Sequence, residues 1–204
     1  MQAAGLIVGL GNPGKEYENT RHNLGFMAVD HLMDDARRFN PDAVSPLSTG
    51  KKKYLLWKCM PGGLRSTWLV AKPQTYMNLS GEAVAHICGF YNLDPEQVLV
   101  VHDELDLPLG RMRFKTGGGL AGHNGLKSIA QHLGTKDFHR LRLGIGKPDH
   151  PNTAGFVLSR FSGEEVRIVE QVLDGALKGM LTFAEKGASE AIHVVNAFDA
   201  SPNS

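Results

Sequence analysis

The chain has 204 residues, 42% of them hydrophobic, and carries 22 Lys and Arg against 21 Asp and Glu, a formal net charge of +1. That size and apolar content suit one domain, 1–204, with a single substantial core. No stretch approaches the roughly 20 apolar residues of a membrane span, Met1-Gln2-Ala3-Ala4 lacks the basic region of a signal peptide, and two cysteines, Cys59 and Cys88, make neither a disulfide framework nor a metal-ligand set, a usage that fits a reducing cytoplasm.

In chain order, the apolar run Gly5-Leu6-Ile7-Val8-Gly9-Leu10 predicts a buried strand. The polar loop Gly11-Asn12-Pro13-Gly14 to Asn23 follows, and a helix is expected from about His22 to Arg38, with Leu24, Met27, Ala28, His31 and Leu32 near helical spacing and Asn40-Pro41-Asp42 as its stop. Tyr54–Cys59 and Ser66–Val70, joined through Pro61-Gly62-Gly63, read as an antiparallel hairpin. Glu82–Tyr91 reads as a helix and Val98–Asp103 as a second buried strand. Met112–Lys115 and Arg140–Ile145 alternate as strands around the loop Gly117–Gly125 and a helix over Leu126–Leu133. Ser162-Gly163-Glu164-Glu165 is a capping-box pattern that opens a long helix, and a short helix near 188–198 closes the chain. Strands interleaved with helices, plus one hairpin, predict a single-domain three-layer α/β/α fold with a mixed, mostly parallel sheet.

Four polar loops follow the expected strands, and in an open α/β sheet such loops converge where ligands bind. They supply His22, Asp103, His123 and the amides of Asn12, Asn78 and Asn124. A histidine beside an aspartate, with no Ser or Cys in a G-x-S-x-G elbow, points to a base that activates water rather than to a covalent nucleophile. Asparagine amides can donate to a carbonyl oxygen that becomes negative and accept from a substrate amide or a water. His102, next to Asp103, falls on the opposite face of its strand and reads as structural. His31, His86, His132, His139, His150 and His193 show no metal-ligand pairing, and no metal is expected.

The near-zero net charge conceals an asymmetry. Residues 111–147 hold eight Lys and Arg against Asp137 alone, a net +7, whereas 151–204 carry a net −3. The basic residues flank Gly117-Gly118-Gly119, with Lys115 before and Lys127 after, an arrangement suited to phosphate. Two other readings compete. Gly9-Leu10-Gly11-Asn12-Pro13-Gly14 satisfies the G-x-G-x-x-G spacing of a dinucleotide-binding turn, with Asp30 as a ribose-binding acid, although Lys15–Asn23 lacks the apolar face of the helix that motif needs. A non-catalytic nucleic-acid-binding module would use the basic sector alone.

Five motifs in order then resemble the bacterial type of peptidyl-tRNA hydrolase. They are Gly9-Leu10-Gly11-Asn12-Pro13-Gly14 with Tyr17, Thr20-Arg21-His22-Asn23 and Gly25-Phe26; Lys72-Pro73 with Thr75–Gly81; Asp103-Glu104-Leu105-Asp106; Gly117-Gly118-Gly119 with Gly122–Lys127; and Arg140-Leu141-Arg142 with Gly144-Ile145-Gly146. The resemblance implies cofactor-free hydrolysis of the ester joining a peptide to tRNA, in N-blocked peptidyl-tRNA, to recycle tRNA dropped from ribosomes. It implies His22 as general base, Asp103 orienting it, and Asn12, Asn78 and Asn124 binding substrate or positioning water. Tyr17 and Met77 would line the site, His123 would contact substrate, and Lys115 with Arg142 would clamp a tRNA phosphate. The implied partner is peptidyl-tRNA, through its acceptor end and nearby phosphates, with no membrane involved and a monomer as the expected state. The loop residue Leu120 and the spacer 40–53 depart from the family pattern.

Overall fold

The computed structural model describes residues 2–148 and 151–201, so His150 lies outside the described residues. Its strands are β1 (Leu6–Gly9), β2 (Val44–Pro46), β3 (Tyr54–Cys59), β4 (Trp68–Pro73), β5 (Val98–Glu104), β6 (Met112–Thr116) and β7 (His139–Gly144). Its helices are α1 (Leu24–Phe39), α2 (Ser80–Tyr91), α3 (Asn124–Leu133), α4 (Thr153–Val157), α5 (Gly163–Lys186) and α6 (Ala188–Asn196).

The strands form one sheet in the order β2-β3-β4-β1-β5-β7-β6. The central four, β4-β1-β5-β7, run parallel, and antiparallel pairs complete both sides. Alternation along each central strand splits the apolar side chains between two faces. Ile7, Val70, Leu99, Val101, Leu141 and Leu143 pack with α1, α5 and α6, whereas Leu6, Val8, Leu69, Ala71, Val98 and Val100 pack with α2 and α3. The result is a three-layer α/β/α arrangement around a mixed sheet, parallel at its centre. Full burial of each such aliphatic side chain contributes about 1.5–3 kcal/mol.

Several local features depart from the sequence expectations. The helix anticipated from His22 begins as a 3₁₀ turn, Arg21–Asn23, before α1. The Asn23 side chain is occupied with the first loop, accepting from Asn12 N–H at 2.8 Å and donating to the Asn12 carbonyl at 3.0 Å. Strand β2 lies in the spacer after Asn40 and pairs with β3, and α4 is a single turn; both are too short for periodicity to reveal. At the start of α1, a Cβ on Gly25 would overlap the Val101 carbonyl and the Leu10 backbone, so glycine alone brings the His22 turn down onto the ends of β1 and β5.

Candidate active site

The parallel centre of the sheet delivers the C-terminal ends of β1, β4 and β5 to one edge, the position where open α/β sheets bind ligands. A cleft of about 620 Å³ opens there, and its walls include Asn12, His22, Met77, Asn78, Asp103, His123 and Asn124. All five residues expected to be catalytic are therefore brought together, joined by Met77 and His123.

Asp103 lies near the end of β5 and is only 3% exposed. A buried carboxylate must be paired, and this one has two imidazole partners. His22 Nδ1 donates to Oδ1 at 2.9 Å and stands 3.0 Å from Oδ2. His123 Nε2 donates to Oδ1 at 3.1 Å. The tautomer of His123 is fixed by its other nitrogen, because Nδ1 accepts from the backbone N–H groups of Gly125 (3.2 Å) and Leu126 (3.4 Å) and so caps α3. In His22 the proton on Nδ1 leaves the neutral ring's lone pair on Nε2, which has no protein partner among the described residues and belongs to a residue of the cleft wall.

Burial alone would lower the His22 pKa, but the Asp103 charge and hydrogen bond together outweigh it and raise the pKa above its ordinary 6.5. For Asp103 burial acts upward, yet His22 and the hydrogen bonds from both imidazoles hold the carboxyl well below the usual carboxylate range. The pair is therefore an anionic aspartate beneath a histidine whose pKa it raises, an arrangement suited to proton abstraction.

Asn12 is 8% exposed. Its Oδ1 accepts from the Met77 backbone N–H at 2.9 Å, which settles the amide's orientation, since a backbone N–H can only donate. The Asn12 NH₂ is thus the end left to serve as a donor in the cleft. Asn78 and Asn124 stand exposed on the rim, Asn124 at the first position of α3 and Asn78 in the 3₁₀ turn Met77–Leu79. Met77 is buried, and Phe114 is 3% exposed in the core.

The ligating atoms of His22, Asp103 and His123 lie within 4.8 Å of one another, a spacing compatible with a cation. Both imidazole N–H groups are committed to the carboxylate, so a metal there would have to displace both protons and would take the orienting partner away from His22. The dinucleotide reading fails on geometry: Gly14 leads into a 3₁₀ turn, Lys15–Tyr17, instead of a helix on the sheet, and Asp30 is paired with Lys72 at 2.6 Å.

A family model described as peptidyl-tRNA hydrolase matches residues 6–203. The chain belongs to the peptidyl-tRNA hydrolase family. It is 65% identical over 199 residues to a peptidyl-tRNA hydrolase of Oleidesulfovibrio alaskensis, covering 98% of this chain and 99% of the relative. A second relative, from Nitratidesulfovibrio vulgaris, is 60% identical over 199 residues and is covered to 98%, with 97% of this chain matched. Among solved structures, a peptidyl-tRNA hydrolase from Acinetobacter baumannii superposes with a TM-score of 0.87 at 36% identity, over 98% of both chains.

Within this peptidyl-tRNA hydrolase fold the remaining expected residues fall outside the cleft wall. Tyr17 closes the first 3₁₀ turn, where its carbonyl accepts from Thr20 Oγ1 at 2.7 Å. Lys115 and Arg142 belong to the β6–β7 pair, in which Arg113 opposes Arg142 and Lys115 opposes Arg140, placing four cations on one face of that strand pair. Arg142 Nε donates to Glu104 at 2.9 Å, and Glu104 does line the cleft, so Arg142 is aimed by a residue of the site. His102 is fully buried behind His123, with ring centroids 4.9 Å apart, and burial pushes its pKa down to about 3.

Two features escaped the sequence reading. Arg140, 1% exposed, donates from Nη1 to the Gly119 carbonyl at 2.6 Å and so props the glycine-rich loop from beneath. Thr153, Ala154, Val157 and Leu158, on α4 and just after it, contribute part of the cleft wall. The basic patterning around Gly117–Gly119 was a signal for Arg140. A five-residue helix offers no comparable signal.

Proposed function

We propose that this chain hydrolyses the ester bond between peptide and tRNA in N-blocked peptidyl-tRNA and thereby recycles tRNA dropped from ribosomes. The observation that carries the reading is the His22–Asp103 pair, with the unpartnered Nε2 of His22 in a cleft that also holds the Asn12 amide. His22 Nε2 takes a proton from water, and the resulting hydroxide attacks the ester carbonyl. The tetrahedral oxyanion accepts from Asn12 Nδ2, and its collapse releases the ribose oxygen, which receives the proton held by His22. Asp103 holds the ring in the productive tautomer and stabilises the imidazolium that forms.

Asn78 and Asn124, exposed on the rim, meet the peptide in this reading, one side-chain carbonyl accepting its N–H. A free aminoacyl ammonium at the same position would lose hydration without equivalent compensation, which favours N-blocked substrates. Met77 supplies an apolar wall, while His123 reaches substrate from beside Asp103. Tyr17 approaches from the first loop, and Lys115 with Arg142 holds a tRNA phosphate on the β6–β7 face. The reaction needs no cofactor. A cytoplasmic monomer suits this role, and among the described residues no helix is long and apolar enough to cross a membrane.

The test is single-turnover release of peptide from an N-acetylaminoacyl-tRNA beside the unblocked aminoacyl-tRNA, with chelator present. Cleavage of the blocked substrate alone, reduced about 10²–10⁴-fold in a folded His22→Ala variant, is the expected result. Salt-sensitive tRNA binding without cleavage would instead leave a binding module.

A further inference from the structure

Arg21 immediately precedes the proposed base and is 7% exposed, an unusual degree of burial for a cation. Its side-chain partners all lie on one distant stretch of chain. The guanidinium carbon sits 4.5 Å from the centroid of the Phe156 ring and 4.7 Å from that of Phe161. Nε donates to Ser159 Oγ at 3.2 Å, and Nη2 donates to Glu165 Oε2 at 2.7 Å. The Arg21 backbone N–H donates to the Ser159 carbonyl at 2.9 Å, and Thr20 forms an antiparallel bridge with Arg160. Glu165 is itself fixed, because the same Oε2 accepts from Ser162 N–H at 2.7 Å in the capping box of α5.

The segment gripped in this way includes cleft wall, since Thr153, Ala154, Val157 and Leu158 line the cleft beside His22. A single helical turn such as α4 does not hold itself in place. Among the described residues, the hydrogen bonds and the bridge that join 153–161 to other elements end on Thr20 and Arg21. Phe156, Val157 and Phe161 also pack against the core, but the polar ties that orient the α4 wall run to the residues just before the base.

We propose that Arg21 is a positioning residue that straps the α4 wall to the His22 turn and so sets the width of the substrate cleft. The strap rests on the activity proposed above, but it acts on substrate binding and not on proton transfer, because His22 is oriented independently by Asp103. Lysine keeps the charge yet loses the planar fork and the ring-stacked face on which these contacts depend. Glu165→Gln keeps a hydrogen-bonding group and removes the opposing charge.

Steady-state cleavage of N-acetylaminoacyl-tRNA by wild type, Arg21→Lys and Glu165→Gln, with the pH profile of kcat/KM and the melting temperature of each, tests the strap. The expected result for Arg21→Lys is a KM raised about tenfold with kcat within about twofold, the pattern of lost uniform binding. The acid limb of its pH profile stays in place, and Glu165→Gln shifts KM in the same direction by less. A wild-type KM in both variants, with only a lower melting temperature, would overturn the strap, as would a fall in kcat accompanied by a displaced acid limb. Absence of cleavage by the wild-type chain would instead refute the activity on which it rests. Should Arg21→Lys fold poorly, Glu165→Gln gives the same KM-against-kcat reading.

Discussion

Asp103 and His123 are joined by a hydrogen bond of 3.1 Å to the same carboxylate oxygen that faces His22. The carboxylate is thus shared, and His123 links it to the N-terminus of α3 through the cap it forms there. His123→Ala should remove that cap, at about 0.5–2 kcal/mol of stability, and leave the Asp103 charge to His22 alone. The acid limb of kcat/KM is then expected to move to higher pH, which a pH–rate profile beside wild type would reveal; an unmoved limb would mean that His123 does not share the carboxylate's influence.

Asp103→Asn makes the opposite change. With the charge gone, burial dominates and the His22 pKa should fall below its ordinary 6.5. The acid limb should move to lower pH while the plateau drops about 10²–10⁴-fold through loss of tautomer and orientation. A variant with an unchanged plateau would remove Asp103 from the mechanism.

The same pair makes stability depend on pH. The His22 pKa is raised in the folded protein, so its contribution is fully present below 6.5 and is lost as pH rises through the folded value. The Asp103 pKa is lowered, so its contribution is present above 3.8 and is lost as pH falls. The melting temperature of wild type should therefore exceed that of His22→Ala by most between these two limits and by less at pH 9. A difference that grows with pH would contradict the pairing.

On the β6–β7 face, Lys115→Ala and Arg142→Ala should each weaken tRNA binding without altering kcat. The slope of log affinity against log salt should fall by about one for each phosphate contact removed. Titrations at several salt concentrations decide this, and an unchanged slope would take the residue out of the phosphate contact.

Gly25→Ala should cost about 1–3 kcal/mol by overpacking, because its methyl would strike the Val101 carbonyl and the Leu10 backbone. Denaturant unfolding measures the loss. The substitution also lifts the His22 turn from β5, so activity should fall further than the folded fraction alone explains.

The fold was legible wherever periodicity had room to express itself. The runs at 5–10 and 98–103 and the alternation at 112–115 and 140–145 located four strands, which span 6–9, 98–104, 112–116 and 139–144, since burial on one or both faces dictates those patterns. Strand β2 and helix α4 were not legible, because three and five residues are held by what they pack against and not by their own sequence. The convergence of His22, Asp103 and the asparagines followed from their positions at strand ends. That His123 would share Asp103, or that Asn12 would be locked by Met77 N–H, depends on contacts across 20 and 65 residues of chain, which spacing does not encode. The basic sector was legible as charge, but the burial of Arg140 and the tie from Arg142 to Glu104 required the sheet register.

The outer strand β6 presents an edge that could recruit another chain by strand addition. Here the Phe114 N–H on that edge is already taken by Asn196 Oδ1 at 2.8 Å, and Arg113 reaches the Asn196 carbonyl at 3.1 Å. With Lys115 on the same strand, a second copy would bring like charge against like charge and find a backbone donor already engaged. Lys115, proposed to attract a polyanion, would thus also discourage strand addition at this edge, so Lys115→Ala should make the protein more prone to aggregate.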